Sequence, residues 1–147
     1  MRSKKAGTDK PKRAVDRKRK FKRSGRPTVC VDLDGVLAHR QTALDTIGEP
    51  IDGAIEFCRQ LSQNADIVIL TSRLALEKPD AKRKQVVVKM IEDWLRQHGI
   101  DYHHIHNGDG KPPAIAYIDD RAVPCTPLDH GIAAYDAANA AVERLSN

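Results

Sequence analysis

A short apolar segment that runs straight into two carboxylates and a glycine constrains this chain most. Residues 28–31 read Thr-Val-Cys-Val, and Asp32, Asp34 and Gly35 follow at once. Such a run is typical of a strand buried in a parallel sheet, whose carboxyl end opens into the ligand crevice of α/β folds. Residues i and i+2 of a strand share a face, and two clustered carboxylates need a cation or a proton between them. The spacing favours a Mg²⁺ site, with an Asp-Gly turn as the alternative.

Further apolar runs alternate with helical patterns along the rest of the chain. Residues 67–70 and 114–118 are apolar and end in polar side chains, and residues 101–106 form a weaker strand candidate. Apolar residues at helical spacing predict helices over the segments 54–63, 81–98 and 132–145. Strands that alternate with helices indicate an α/β domain, a three-layer Rossmann-like arrangement around a central parallel sheet.

Charge divides the chain into two parts. Residues 1–26 contain 13 Lys or Arg and 2 Asp, whereas the remainder contains 12 basic and 18 acidic residues. With so few large apolar side chains, the first part cannot offset the entropy of ordering, so we expect a disordered basic tail over 1–26 and one folded domain over 27–147. The tail suits polyanions, nucleic acid among them, and a solvated tail without a specific partner is the alternative.

Cysteine usage and hydropathy bear on the compartment. Cys30, Cys58 and Cys125 are an odd number without close spacing, which is typical of a reduced intracellular chain. No apolar run approaches the roughly 18 residues that span a bilayer. We therefore expect no membrane insertion and a cytoplasmic location.

Chemistry-bearing residues occur in a fixed order beside the predicted strands. That order is Asp32 and Asp34, then Thr71, then Lys111, then Asp119 and Asp120. It resembles the four motifs of the haloacid dehalogenase (HAD) superfamily of phosphohydrolases, over about residues 28–125. The matching pieces are Val31-Asp32-Leu33-Asp34-Gly35-Val36, Ile67-Val68-Ile69-Leu70-Thr71, Lys111 and Tyr117-Ile118-Asp119-Asp120.

The resemblance implies a phosphatase that works through an aspartyl-phosphate. In that scheme Asp32 is the nucleophile that forms the aspartyl-phosphate. Asp34 protonates the leaving oxygen in this first step and activates the water that hydrolyses the aspartyl-phosphate in the second. Thr71 donates a hydrogen bond to the transferring phosphoryl group, and Lys111 supplies a positive charge beside it. Lys111 could instead be a solvated loop lysine.

The resemblance also implies a metal and substrate contacts. Mg²⁺ would be held by Asp32, the backbone carbonyl of Asp34 and Asp119, with Asp120 as a further ligand or as a partner of the ligands. Three residues that could contact substrate lie next to the motifs: Ser72, Arg73 and Arg121. Arginines among acids pair with those acids more often than with substrate, and Ser72 could replace Thr71 as the motif hydroxyl.

The spacing leaves no room for a cap domain. There are 36 residues between Asp34 and Thr71 and 39 between Thr71 and Lys111, and the predicted elements use nearly all of them. By the resemblance, members without a cap have open sites that act on bulky substrates, such as phosphorylated proteins or nucleic-acid ends, or that a partner subunit closes. A polynucleotide 3′-phosphatase or a nucleotidase would suit an open site beside a cationic tail.

Three other kinds of protein or site share some of these features. A phosphorylatable receiver domain uses similar groups, but its lysine comes last, whereas Lys111 precedes the terminal acids. A catalytically silent nucleic-acid-binding accessory protein would use the basic tail alone, although aromatic residues for base stacking are only 4% of the chain. A zinc site at His98, His103, His104 and His106 lacks a nearby cysteine, and strand alternation separates the histidines.

Overall fold

The computed structural model describes residues 24–75, 80–107 and 110–146. Most of the predicted basic tail, residues 1–23, lies outside the described residues. The strands are β1 (Thr28–Val31), β2 (Asp66–Ile69), β3 (His104–Ile105) and β4 (Ala116–Ile118). The helices are α1 (Ala54–Ser62), α2 (Ala81–Gln97), α3 (Pro127–His130) and α4 (Ile132–Ser146), and a 3₁₀ turn covers Ser72–Leu74.

The four strands form one parallel sheet in the order β3-β2-β1-β4. Val31 lies beside Ile69 of β2 on one side and beside Ile118 of β4 on the other. The chain therefore adds β2 and β3 on one side of β1 and then adds β4 on the other side of β1. This reversal creates a switch point at the carboxyl end of β1, where α/β folds bind ligands. The predicted α/β class with a parallel sheet is confirmed.

The core lies between one face of the sheet and the first two long helices. Alternate residues of β1 and β2 are buried there, among them Val31 and Ile69, because successive side chains of a strand point to opposite faces. Helix α1 contributes Cys58, and helix α2 contributes Ile91 and Leu95. Burial of these apolar surfaces fixes the sheet edge that carries the acids.

Helix α2 begins and ends where the sequence predicts. The Asp80 carboxylate accepts a hydrogen bond from the backbone N–H of Lys82, which satisfies one of the first free donors of the helix. Gly99, just past the end, has a φ of +65°, a conformation that glycine adopts at little cost. The predicted helices 54–63 and 132–145 are also present, with bounds within one residue.

Strand β3 is shorter than the predicted 101–106 segment. It covers only His104–Ile105. The ring of His103 explains part of this difference, because its Nδ1 accepts the backbone N–H of Ile67 at 2.8 Å. The Ile67 N–H therefore bonds to the His103 ring, whereas in a longer pairing of β2 with β3 it would bond to a backbone carbonyl of β3.

The start of the described chain contacts the amino end of β2. The Asp66 carboxylate is 1% exposed and accepts hydrogen bonds from the backbone N–H and the hydroxyl of Ser24 at 3.0 and 2.8 Å. Arg26 Nη2 donates to the same carboxylate at 2.9 Å. These hydrogen bonds lower the pKa of Asp66 below its ordinary value. The bond from the Ser24 N–H has the largest effect, and those from the Ser24 hydroxyl and from Arg26 have smaller ones. Two residues of the predicted tail thus bind the folded domain.

Residues 38–49, here called the flap, leave the sheet after Asp34 and return before α1. Backbone hydrogen bonds close its base, from His39 N–H to Glu49 O at 2.9 Å and from Ile51 N–H to Leu37 O at 2.8 Å. The indole N–H of Trp94 donates to Gly48 O at 2.9 Å, so α2 also holds the base of the flap. Trp94 itself belongs to the buried core.

The last helix is exposed over much of its surface. Ala134 is buried, whereas Ile132, Tyr135, Val142 and Leu145 are exposed. No helix among the described residues combines the length and the apolar character needed to cross a membrane.

Candidate active site

Two neighbouring strand ends deliver the acids to one place. Asp32 follows β1, and its backbone N–H donates to Ile118 O of β4 at 2.9 Å. Asp119 and Asp120 follow β4 directly. One carboxylate oxygen from each of Asp32, Asp119 and Asp120 lies within 4.8 Å of the others. We call these three residues the acid cluster. Three residues that are as much as 88 positions apart in the sequence thus converge at the switch point.

The acid cluster perturbs its most buried member. Burial, and to a smaller extent the charges of Asp119, Asp120 and Asp34, raise the pKa of Asp32 to about 6. The backbone N–H of Leu33 donates to Asp32 Oδ1 at 2.8 Å, which opposes the shift. Without a cation, Asp32 therefore takes up a proton only below about pH 6. Hard carboxylate oxygens are the donors that Mg²⁺ prefers, so the donor set fits this ion.

Asp34 lies next to the acid cluster but is paired differently. Arg73 Nε donates to its Oδ2 at 2.6 Å and Arg73 Nη2 donates to its Oδ1 at 2.8 Å. Arg73 is only 5% exposed and also donates to the flap carbonyl of Leu44 at 2.9 Å. Of the two roles that the sequence left open for Arg73, the structure shows pairing with the site's own carboxylate. The predicted metal ligand of Asp34, its backbone carbonyl, is not engaged by this pair.

Thr71 follows β2 and is buried beside the same edge. Its Oγ1 accepts the backbone N–H of Arg73 at 3.2 Å and so caps the 3₁₀ turn. The hydroxyl proton remains available for donation to another acceptor. Ser72 is exposed on the turn. Burial and position thus favour Thr71 over Ser72 as the motif hydroxyl.

Lys111 and Arg121 have other neighbours. Lys111 Nζ lies 4.0 Å from the centroid of the Tyr117 ring, a cation–π contact. Its charge lowers the pKa of the Cys30 thiol, although burial raises that pKa more. Arg121 contacts the acid cluster through its backbone, since its N–H donates to Asp119 Oδ1 at 2.7 Å. Among the described contacts, neither side chain bonds to a member of the acid cluster.

Sequence reasoning missed Arg40, which belongs to the flap. Its Nη2 donates to both carboxylate oxygens of Asp120 at 2.8 Å. Gly35 provides the room for this pair, because a Cβ at Gly35 would lie 2.4 Å from Asp120 Oδ2 and 2.9 Å from Arg40 Nε. A lone arginine in a mixed polar loop carries no signal in the sequence. Only its position in a segment that overhangs the acids could have suggested it.

As far as the described residues show, the acid cluster lies at an exposed edge, with Asp119 and Asp120 open to solvent. Near Asp32 the enclosed space is about 20 Å³, bounded by residues of β1, β4 and Leu70. A larger cleft of about 540 Å³ lies elsewhere, between α2 and the flap residues Asp45, Thr46 and Ile47. We place the candidate chemistry at the smaller space because the carboxylates line it.

The histidines do not assemble a metal site. Among the described residues, the acid cluster is the group of His, Cys, Asp and Glu side chains whose geometry could hold an ion. His103 serves the backbone of β2, and His106 Nε2 lies 3.0 Å from Gly110 O. These contacts agree with a structural role for both rings.

Comparisons with known proteins add two solved structures. No protein-family model matches the chain, and no curated protein matches it. A conserved protein from Bacteroides thetaiotaomicron is similar at 21% identity and a TM-score of 0.49, over 76% of this chain and 93% of that one. A crystallised target from Vibrio cholerae is similar at 26% identity and a TM-score of 0.46, over 77% of this chain and 97% of that one. At these TM-scores neither similarity carries an argument about activity.

Proposed function

We propose that this protein is a Mg²⁺-dependent phosphohydrolase that cleaves phosphomonoesters through an aspartyl-phosphate on Asp32. The observation that carries the proposal is the acid cluster at the switch point of the sheet. Its members are the residues that the HAD resemblance assigns to the nucleophile and the metal. Phosphoryl transfer depends mainly on positioning and on neutralising charge, and this edge supplies groups for both.

Asp32 is positioned to act as the nucleophile. The Leu33 N–H holds Oδ1, which leaves Oδ2 free to attack phosphorus. The attack forms the Asp32–phosphorus bond and breaks the bond to the leaving oxygen. Bound Mg²⁺ would lower the repulsion between the carboxylate and the phosphate. The Asp32, Asp119 and Asp120 carboxylates and the Asp34 carbonyl would hold it.

Asp34, two residues after the proposed nucleophile Asp32, is the proposed general acid and base. In the proposed cycle it protonates the leaving oxygen and then takes a proton from the water that cleaves the phospho-enzyme. Its pairing with Arg73 fixes the orientation of the carboxylate. Both carboxylate oxygens of Asp34 accept hydrogen bonds from Arg73. The first step requires the Arg73 contact to loosen.

The open edge supports a bulky substrate. Asp119 and Asp120 are exposed, so within the described part of the chain a phosphate at the end of a large molecule can reach the acid cluster. We infer a nucleotide or a nucleic-acid end as the substrate class, because 13 Lys or Arg lie in residues 1–26 beside an otherwise acidic chain. The basic segment would hold the polyanion while the acid cluster acts on its phosphate.

Turnover of an aryl phosphate with and without Mg²⁺ tests the activity. We expect Mg²⁺-dependent release of phosphate, and a loss of about 10³-fold or more in Asp32→Asn. Asp136→Asn, an exposed change on α4, is the matched control and should retain activity. Unchanged turnover in Asp32→Asn would refute the mechanism. Phosphorylation of Asp32 without turnover would favour the receiver-like alternative.

A panel of nucleotides and of oligonucleotides with 3′- or 5′-phosphates tests the substrate class. The full chain should prefer phosphorylated oligonucleotides at low salt, because counterion release drives such binding. A form that begins at Ser24 should lose this preference and keep its rate on the aryl phosphate. Equal oligonucleotide turnover by the two forms would remove the basic segment from the proposal.

A further inference from the structure

The flap places a cation on a carboxylate that the proposed metal would need. Arg40 Nη2 lies 2.8 Å from both oxygens of Asp120, and one of those oxygens belongs to the acid cluster. Arg40 is 40% exposed and Asp120 is 33% exposed, so the pair is accessible to ions from solvent. A guanidinium and a divalent ion would each stabilise the negative charge of the Asp120 carboxylate.

The local backbone holds Arg40 in this position. The N–H groups of Leu37 and Ala38 both donate to Leu33 O at 2.9 Å, and the Gly35 N–H donates to Ala38 O at 2.8 Å. This tight turn brings the flap back over the end of β4. Because Gly35 has no Cβ, Arg40 and Asp120 can meet across it. The ion pair is therefore built by the turn and not by chance contact of two surface side chains.

We propose that Arg40 and the divalent metal compete for Asp120, so that the flap arginine sets the metal affinity of the site. The inference rests on the proposed metal site and adds a residue that the HAD resemblance does not include. When the metal takes Asp120, Arg40 loses its partner. Its guanidinium then lies beside the site with donors that suit a phosphate oxygen.

The strength of the ion pair sets the size of the expected effect. Half-exposed pairs contribute little, so removal of Arg40 should tighten metal binding by about 2- to 5-fold. A general loss of positive charge would also tighten binding somewhat. Two controls separate these causes: Arg144→Gln on α4 removes the same charge elsewhere, and Asp120→Asn removes the carboxylate for which the two cations compete.

Metal binding, and not turnover, is the measurement. Free Mn²⁺ is followed by electron paramagnetic resonance, and Mg²⁺ by isothermal titration calorimetry, for the full-length chain and for Arg40→Gln, Arg144→Gln, Asp120→Asn and the Arg40→Gln/Asp120→Asn double variant. We expect a lower Kd in Arg40→Gln, a clearly smaller decrease in Arg144→Gln, and little effect of Arg40→Gln once Asp120 is Asn. Binding by Arg40→Gln alone, with no detectable binding by the unchanged chain, would also support competition.

Three results would overturn the inference. These are an unchanged or weaker affinity in Arg40→Gln, an equal gain in Arg144→Gln, and an equal gain in the Asp120→Asn background. Absence of metal binding in every form would overturn it together with the metal site. Metal binding that follows the expected pattern without any phosphatase activity would contradict only the proposed function.

Discussion

Gly35 is the residue at which conformation and space both exclude a side chain. Its φ is +89°, and the position of a Cβ is already taken by the Asp120 carboxylate. Gly53, which precedes α1, has nearly the same φ of +86° but no atom within 4 Å of its Cβ position. An alanine at either position would therefore be strained by the positive φ, but only an alanine at Gly35 would also clash with neighbouring atoms.

We expect Gly53→Ala to lower the free energy of unfolding by about 1–2 kcal/mol, because the position demands a positive φ, and Gly35→Ala to lower it more, because the new methyl group also meets the Asp120 carboxylate. Only Gly35→Ala should also weaken metal binding, since the new methyl group must push Asp120 away from the acid cluster. Urea unfolding and Mn²⁺ titration measure the two effects. An equal loss of metal affinity in Gly53→Ala would contradict this reading of Gly35.

At the residue scale, the sequence predicted the members of the acid cluster better than their partners. Asp32, Asp119 and Asp120 were predictable because each follows an apolar strand, and parallel strands end at one edge. The pairs Arg73–Asp34 and Arg40–Asp120 join residues 39 and 80 positions apart. Such pairs depend on how the turn and the flap are folded, which hydrophobic periodicity does not encode.

Among the elements, the flap is held to the sheet by a buried arginine. Arg73 bonds to Asp34 at the end of β1 and to Leu44 O in the flap, from the 3₁₀ turn after β2. One guanidinium thus links three segments. Removal of one partner of a buried ion pair leaves the other charge uncompensated, which is more costly than loss of the attraction alone.

We expect Arg73→Met to lower the free energy of unfolding by about 2–4 kcal/mol and Arg73→Lys to lower it less, since lysine keeps the charge but loses the fork geometry. Urea unfolding measures both. Hydrogen exchange at the His39 and Ile51 amides should also become faster in Arg73→Met, because these bonds close the flap base.

Arg96→Met is the control for this prediction. Arg96 is 73% exposed and lies 3.7 Å from Asp93, so its removal should change stability by less than about 0.5 kcal/mol. A similar loss in Arg96→Met and Arg73→Met would show that Arg73 is not the link between sheet and flap.

The long elements were predictable, and the short ones were not. Helices α1, α2 and α4 show apolar residues at helical spacing over two turns or more, which is a strong signal. Helix α3 covers only Pro127–His130, about one turn, which is too short to show a periodic pattern. Strand β3 was predicted too long because the role of the His103 ring as a backbone partner has no signature in a hydrophobic pattern.

At the scale of the whole molecule, the start of the described chain is tied to the end of the sheet opposite the acid cluster. Ser24 and Arg26 satisfy the buried carboxylate of Asp66 at the amino end of β2. Arg26 Nη1 also donates to Ser62 O, the last residue of α1, at 2.7 Å. A form that begins at Ser24 keeps these bonds, whereas one that begins at Pro27 loses them.

We expect the form that begins at Pro27 to be less stable than the form that begins at Ser24 by about 1–3 kcal/mol at pH 7. The Ser24 N–H lowers the pKa of Asp66 in the folded state, so this contribution is fully present above the ordinary value of 3.8. It is lost as the pH falls through the lower, folded pKa. Urea unfolding at pH 7 and below pH 3.8 measures the difference, and equal stability at pH 7 would contradict it.

The overall architecture was predictable because it depends on a pattern of apolar residues that repeats along the whole chain. Apolar runs too short for helices, separated by amphipathic helices, leave a parallel sheet as the arrangement that buries both. The exact division between tail and domain was not predictable. A count of charges assigns Arg26 to the tail, whereas its guanidinium bonds to β2 and α1.

The strand lengths have a consequence for how the molecule meets other chains. The inner strands β1 and β2 have four residues each, whereas the outer strands β3 and β4 have two and three. An outer strand exposes unpaired backbone groups to which another polypeptide can add, and natural sheets shorten such edges. Within the described part of this protein, each border of the sheet therefore offers at most a few backbone donors and acceptors, which disfavours edge-to-edge aggregation.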